Sequence, residues 1–261
     1  MLRAFSTAAT GMTAQQMNVD VIANNLANIN TNGFKRSQIE FQDLLYLKMK
    51  DPGAEVVAGL NSPSGLEIGS GVRAASTVKV YTSGEMQNTN RPLDIAITGD
   101  GFLQVSMPDG STKYTRDGAL SINANGNLVT STGFLLEPAV SVPTDAMTID
   151  IGKDGSVNVT NSTGTTSVAG TIQLARFLNP AGLSSEGDNL LAETEASGTP
   201  VTGTAGQNGL GAIQSGFLEK SNVQMVTELV NLITAQRAYE INSRAIKAGD
   251  DMLRTANDIA R

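Results

Sequence analysis

Residues 2–30, LRAFSTAATGMTAQQMNVDVIANNLANIN, read as one helix. Phe5, Met12, Val19 and Leu26 recur every seven residues, and Ala8, Gln15, Ile22 and Ile29 form the interleaved set three positions on. A seam kept for nearly four heptads, with Gln15 as its one polar member, is narrow. It suits a partner helix better than a sheet. Asn32-Gly33 supplies the stop. Five asparagines, Asn24, Asn25, Asn28, Asn30 and Asn32, crowd the end of the helix. Asn32 serves with Gly33 as a cap. Asn24 and Asn28, one turn apart, are expected to hydrogen-bond across a protomer boundary, as polar residues in coiled coils set register.

The other end of the chain mirrors this. Ser221 and Gln224 have the spacing of a capping box, so a second helix is expected over residues 221–260. Met225, Leu229, Leu232, Gln236, Tyr239, Ile246 and Leu253 lie along one stripe, with Ser243 and Asp250 as its other polar members. Val223, Val226, Val230, Ile233 and Ile241 lie on the next. An apolar face this wide needs more than one neighbour. The simplest geometry pairs the two ends as a coiled coil. Such a pair alone is marginal, and Gly11 and Gly249 weaken it by about 1 kcal/mol each relative to Ala. The ends are therefore expected to be mobile in a lone molecule and to fold as copies associate.

Between the helices the period changes to two. Val78/Val80, Leu93/Ile95/Ile97, Leu103/Val105, Leu120/Ile122, Met147/Ile149/Ile151, Val157/Val159 and Ile172/Leu174 alternate with polar residues. Gly99-Asp100-Gly101, Asp109-Gly110, Asp117-Gly118, Asn125-Gly126 and Asp154-Gly155 mark turns between them. Short antiparallel strands follow over roughly residues 72–180, and 181–215, rich in Gly, Ser and Thr, read as extended or looped. Residues 46–72 hold Pro52, Pro63 and five glycines with few apolar anchors, a long loop of the kind that is functional or disordered. The expected class is α+β. Residues 1–32 with 221–261 form a helical domain, 33–71 with 210–220 an extended connector, and 72–209 a β-rich domain.

Composition narrows the chemistry. The 261 residues include no Cys, His or Trp, which excludes Ser-His-Asp and Cys-His triads, imidazole or thiolate metal sites and disulfides. The Asp residues beside Gly read as turn formers, and Gly99-Asp100-Gly101 is no phosphate loop because no helix follows it. Residues 150–158 lack the spacing and closing Glu of a calcium loop. No cofactor and no enzymatic activity are expected. Net charge is −7, and residues 51–215 carry seven basic and sixteen acidic side chains, so nucleic acid is an unfavourable partner. No segment reaches the roughly 18 apolar residues of a membrane span, so no direct membrane insertion is expected, and the start lacks the apolar run of a secretory signal.

Two long motifs carry a resemblance. Ala23-Asn24-Asn25-Leu26-Ala27-Asn28-Ile29-Asn30-Thr31-Asn32-Gly33-Phe34-Lys35 resembles the N-terminal motif of bacterial flagellar rod and hook proteins, and Glu228 through Ser243 (ELVNLITAQRAYEINS) resembles the matching C-terminal one. The stretches Leu93–Phe102 and Tyr114–Gly118 are similar to the β domain of that family. The length, and the stretch from Asp43 through Val72, are nearest to subunits of the distal rod, with a proximal rod subunit as the alternative.

The resemblance implies a structural subunit that leaves the cell unfolded through the flagellar type III export apparatus, without a cleaved signal peptide. It implies polymerisation into a tube in the basal body, crossing the periplasm, with the terminal helices inside and the β domain outside. Expected partners are other copies of the chain, proximal rod proteins, hook protein, the surrounding P-ring and L-ring proteins and a rod cap protein. The expected subunit interface comprises Phe5, Met12, Val19, Ile22, Asn24, Leu26, Asn28, Met225, Leu229, Leu232, Gln236, Tyr239, Ile246 and Leu253. Tyr46, Pro52, Leu60, Pro63 and Leu66 are expected to act in a stiffening insertion, a wedge between neighbouring copies.

Overall fold

The computed structural model describes every residue except Met1, Pro52, Ala54, Ala58, Gly59, Ser62, Ala260 and Arg261. The chain is α+β and divides into two units. One gathers both chain ends and Ser37–Val78; the other takes Ala27–Arg36 and Lys79–Val223. The connector expected over 33–71 and 210–220 is thus shared between them.

In the first unit, helix α1 spans Leu2–Ala27 and helix α2 spans Met225–Ile259. Both termini differ from the sequence expectation. Beyond α1, Asn28 turns the chain: its carbonyl accepts the Thr31 N–H at 3.2 Å and its side-chain oxygen accepts the Thr31 hydroxyl at 3.1 Å. Helix α2 begins four residues after the expected Ser221 cap. Asn222 binds elsewhere, accepting the Arg36 N–H at 2.8 Å and donating to the Val80 carbonyl at 2.8 Å. Residues 221–223 therefore stay outside the helix, and the first helical bond runs from the Glu228 N–H to the Gln224 carbonyl at 3.0 Å. In place of the expected capping box, the Gln224 side chain accepts the Thr227 hydroxyl, a bond between side chains.

The helices run antiparallel, and two glycines face side chains of the opposite helix at close range. A Cβ on Gly11 would sit 2.8 Å from the Asn242 amide nitrogen, and one on Gly249 would sit 2.8 Å from the Phe5 ring. Glycine costs helix propensity at both positions, but here it is what admits the opposing side chain. The side of α2 turned away from water carries Glu228, Leu232, Ala235, Asn242, Ile246 and Gly249.

The stretch read as a loop, residues 46–72, is instead a two-stranded ribbon. Ser37–Asp43 pairs with Val72–Lys79, Leu47–Lys50 with Leu66–Ile68, and Glu55–Val57 with Leu60–Asn61. The Leu44 N–H to Gly71 carbonyl bond, 2.9 Å, ties its base. Its strands are short, and their described apolar side chains Leu47, Met49, Leu66 and Ile68 lie in water, so periodicity was a poor guide to them.

The second unit is built on antiparallel pairs. Its central strand, Phe102–Ser106, pairs with Thr112–Thr115 along one edge. Along the other it pairs with Gln173–Arg176 and then with Leu135–Glu137. Four consecutive residues, Phe102 to Val105, are buried, because the strand has a core on each face. Leu103 and Val105 join Leu120, Leu128, Val157 and Leu174 in one cluster, and Phe102 joins Tyr114, Phe177 and Leu191 in the other. Simple alternation fails there. It also fails at Met147, expected inward with Ile149 and Ile151. The pairing of Ala146–Ile151 with Ser156–Asn161 shifts register between Ala146 and Thr148, and Met147 is 72% exposed.

Residues 181–215 are more ordered than expected, holding strands Ser184–Gly187, Leu190–Ala192, Val201–Thr204 and Ala212–Ser215. Asp188 and Asn189, both at positive φ, make the tight turn of a hairpin whose second strand pairs with Tyr114 and Thr115. Strands of three or four residues fall below what a pattern of alternation can reveal.

Candidate assembly surfaces

In the β unit the two motif segments around Lys35 and Arg116 meet at Glu219. This carboxylate is 2% exposed. One oxygen accepts Lys35 Nζ at 2.7 Å and the Gly84 N–H at 2.9 Å; the other accepts Arg116 Nε at 2.7 Å. Lys35 also donates to the Thr82 backbone carbonyl, and Arg116 to those of Ile97, Gly99 and Gly101.

The Gly99-Asp100-Gly101 turn is thus a carbonyl cradle for a guanidinium, its glycines at φ +110° and +148°. Gly33, at φ +67°, donates its N–H to the Glu219 carbonyl at 2.8 Å. A Cβ there would lie 2.7 Å from the Arg116 backbone. The Gly after Asn32 is therefore needed by tertiary contact as well as by the turn.

Burial works to raise the Glu219 carboxyl, but the attraction of Arg116 and the hydrogen bonds from Lys35 and Arg116 outweigh it and hold it below the ordinary value. Burial pulls Lys35 down, and its bond to Glu219 offsets only part of that. These three side chains were not singled out for a role from the sequence. The available signal was their setting: charges placed directly after Phe34, after Tyr114-Thr115 and after Phe217-Leu218, where solvent-facing residues are not expected.

The remaining turn aspartates behave as their Gly neighbours suggest. Asp109, Asp117 and Asp154 each accept a backbone N–H two residues on. Hydrogen bonds from Ser111 and Ser156 lower the carboxyls of Asp109 and Asp154. Among the described residues no group of acidic side chains could hold a metal ion, and no helix is long and apolar enough to cross a membrane.

The residues expected at an interface fall into three states. Ile22 is buried. Phe5, Met12, Val19, Leu26, Asn28, Leu232 and Ile246 are half-buried. Asn24, Met225, Leu229, Gln236, Tyr239 and Leu253 are exposed. The asparagine withdrawn from water is Asn25, which the sequence reading passed over. Its amide donates to the Ser37 carbonyl and accepts the Ser37 N–H, both at 2.8 Å, as a strand neighbour would.

Most of the neighbouring stripe faces water too, Val226 at 75% and Ile241 at 64% exposure, but Val223, expected with them, precedes α2 and is buried. On the ribbon, Tyr46, Pro63 and Leu66 are exposed, beside Leu45, Leu47, Met49 and Ile68. Pro52 and the side chain of Leu60 lie outside the described set. Tyr46 lies against Gly69 and is hydrogen-bonded to Asp43, which pushes its hydroxyl pKa up.

Three family models match this chain. The model for flagella basal body rod proteins matches residues 5–35, that for the D1 domain of flagellar hook proteins FlgE/F/G residues 96–159, and that for the C-terminal part of flagellar basal body rod FlgEFG proteins residues 214–259. Curated relatives extend over the whole length. The flagellar basal-body rod protein FlgG of Borreliella burgdorferi is 46% identical over 264 residues, all of both chains. FlgG of Buchnera aphidicola from Schizaphis graminum is 46% identical over 96% of each chain, and FlgG of Caulobacter vibrioides 44% identical over 99% of each. The chain belongs to the FlgG family of flagellar basal-body rod proteins and is a structural subunit of that rod, FlgG being its distal component.

Proposed function

We propose that the chain polymerises through its two terminal helices, paired as a coiled coil, into a stiff tube, the distal rod, which passes motor torque to the hook. The observation that carries this is the helical unit itself. A soluble protein that leaves Met225, Val226, Leu229, Val230 and Ile233 in water along one helix marks an interaction site.

The ribbon is the stiffening wedge. It puts apolar side chains into solvent on a two-stranded scaffold with no core among its described residues, so its order in the tube comes from neighbouring copies. The subunit works in the basal body without catalysis or cofactor. Its neighbours there are proximal rod proteins, hook protein, the P-ring and L-ring proteins and a rod cap, and it arrives through the type III export apparatus.

Electron microscopy of the purified protein over a concentration series tests polymerisation. Straight tubes above a threshold concentration are expected, and a protein that stays monomeric at every concentration overturns the reading.

A further inference from the structure

The chain has nine methionines and no Cys or Trp, so thioethers are the side chains that a peroxide attacks first. Met17, Met49, Met147, Met225 and Met252 are exposed, and no described methionine lies in a core. Their surroundings differ. Met147 stands at a bulge of the β unit with Asp145 and Thr148 beside it. Met17 has Thr13 and Asp20 on its face of α1, and Met252 has Ala248 and Thr255 on its face of α2. Met49 lies on the ribbon, read above as a stiffening wedge and not as the polymerising surface. Met225 opens α2 and adjoins Val226 and, one turn on, Leu229, both exposed. It is thus the exposed thioether that belongs to the apolar patch through which the chain is read to polymerise. Its polar neighbour Gln224 is bonded to Thr227.

We propose that Met225 is a site of peroxide oxidation in the unassembled subunit, and that its sulfoxide keeps the subunit out of the polymer. This rests on the self-assembly reading above and names a regulation of that surface. In the step, the sulfur gives up an electron pair to one oxygen of hydrogen peroxide. The O–O bond breaks, the other oxygen leaves as water, and thioether becomes sulfoxide. A thioether passes from water into an apolar contact at a gain, whereas a sulfoxide oxygen is a strong acceptor whose water must be removed at a cost. At Met147 the same oxygen stays hydrated among polar side chains. Oxidation there is therefore silent. Once Met225 is covered by a neighbouring copy, peroxide no longer reaches it.

Peroxide treatment of the full-length chain below its polymerisation threshold tests this. Peptide mass spectrometry is expected to find added oxygen on Met225, and the oxidised chain is expected to need about tenfold more protein or more for sedimentable polymer. Far-UV circular dichroism is expected to be unchanged, and methionine sulfoxide reductases for the two epimers are expected to restore the threshold. Met225→Leu keeps an apolar side chain of similar volume. After the same dose it is expected to polymerise within about threefold of its untreated threshold, while Met147→Leu stays as sensitive as the parent. Preformed polymer is expected to keep Met225 reduced at a dose that converts it in the free subunit. Three results overturn the proposal while self-assembly stands: a Met225→Leu chain as sensitive as the parent, a chain converted at Met225 that polymerises normally, or Met225 oxidised as fast in polymer as in free subunit. A parent that never polymerises defeats the self-assembly reading and this inference with it.

Discussion

In the β unit Leu103, Leu120, Leu128 and Leu174 are wholly out of water; in the helical unit Met225, Val226, Leu229, Val230 and Ile233 stand 40% or more in it. The same kinds of side chain meet opposite fates. The β unit also buries its one strong acid–base cluster with partners for both Glu219 oxygens, while charged side chains of α2 such as Arg237, Arg244 and Arg254 lie on its surface. The β unit completes a core within a single chain, although Met147, Val168, Leu178 and Val201 at its surface stand in water. The other leaves its largest favourable term unmade, since five such side chains would yield roughly 8–15 kcal/mol on full burial, as an upper bound. A subunit that must be stable alone yet associate without limit is expected to divide those tasks in this way.

That contrast is sharpest if the β unit fails from within. Glu219→Gln leaves Lys35 and Arg116 buried against a neutral partner, and a loss of about 3–5 kcal/mol in denaturant unfolding is expected. A loss below about 1 kcal/mol would show that water reaches the cluster and that the unit is less closed than its burial indicates. Gly33→Ala meets both the positive φ and the Arg116 backbone, and about 1–3 kcal/mol is expected by the same measurement.

Acid acts on the same carboxylate. The folded pKa of Glu219 lies below its ordinary 4.5, so its contribution is fully present above that pH and is lost as the pH falls below it. Lys35, lowered by burial, acts only on the alkaline side. A pH series of melts is expected to be flat in this respect near neutrality and to drop below about pH 4.5 in the parent, with a smaller drop in Glu219→Gln.

The helical unit is expected to respond in the other way, with little change in stability and a large one in assembly. Ile233→Ser should leave the melting of the soluble chain unchanged to within about 0.5 kcal/mol and reduce polymer yield at a fixed concentration. Replacing residues 47–68 by a two-residue turn keeps the Leu44–Gly71 bond and is expected to leave both folding and polymerisation intact. Tubes of that variant should bend more in electron micrographs. Tubes as straight as the parent's would mean that the ribbon is no wedge.

The positions where sequence reading went astray share one cause. Alternation placed Val157 and Val159 correctly inside, because that strand has a single buried face, but a bulge one strand away turned Met147 out. The strand at Phe102–Val105 looked half-polar and is buried on both faces, since a second aromatic cluster covers its other side. Among five asparagines at one helix end, nothing local distinguishes Asn25; its burial follows from where Ser37 returns. Lys35, Arg116 and Glu219 are separated by up to 184 positions, and no period or spacing connects them.

Heptad recurrence at both ends, the change to period two between them, the Gly-marked turns, the absence of Cys and His, and the two long terminal motifs are properties of local order along the chain. They were sufficient for an α+β class and a structural subunit. The tertiary structure alone decided which face of α2 is withdrawn from water, that Gly11 and Gly249 are points of close approach, that residues 46–72 pair into a ribbon, and that three distant charges share one buried site. Each of these is a contact between segments far apart in sequence, and a one-dimensional pattern records what a residue prefers without recording what it meets.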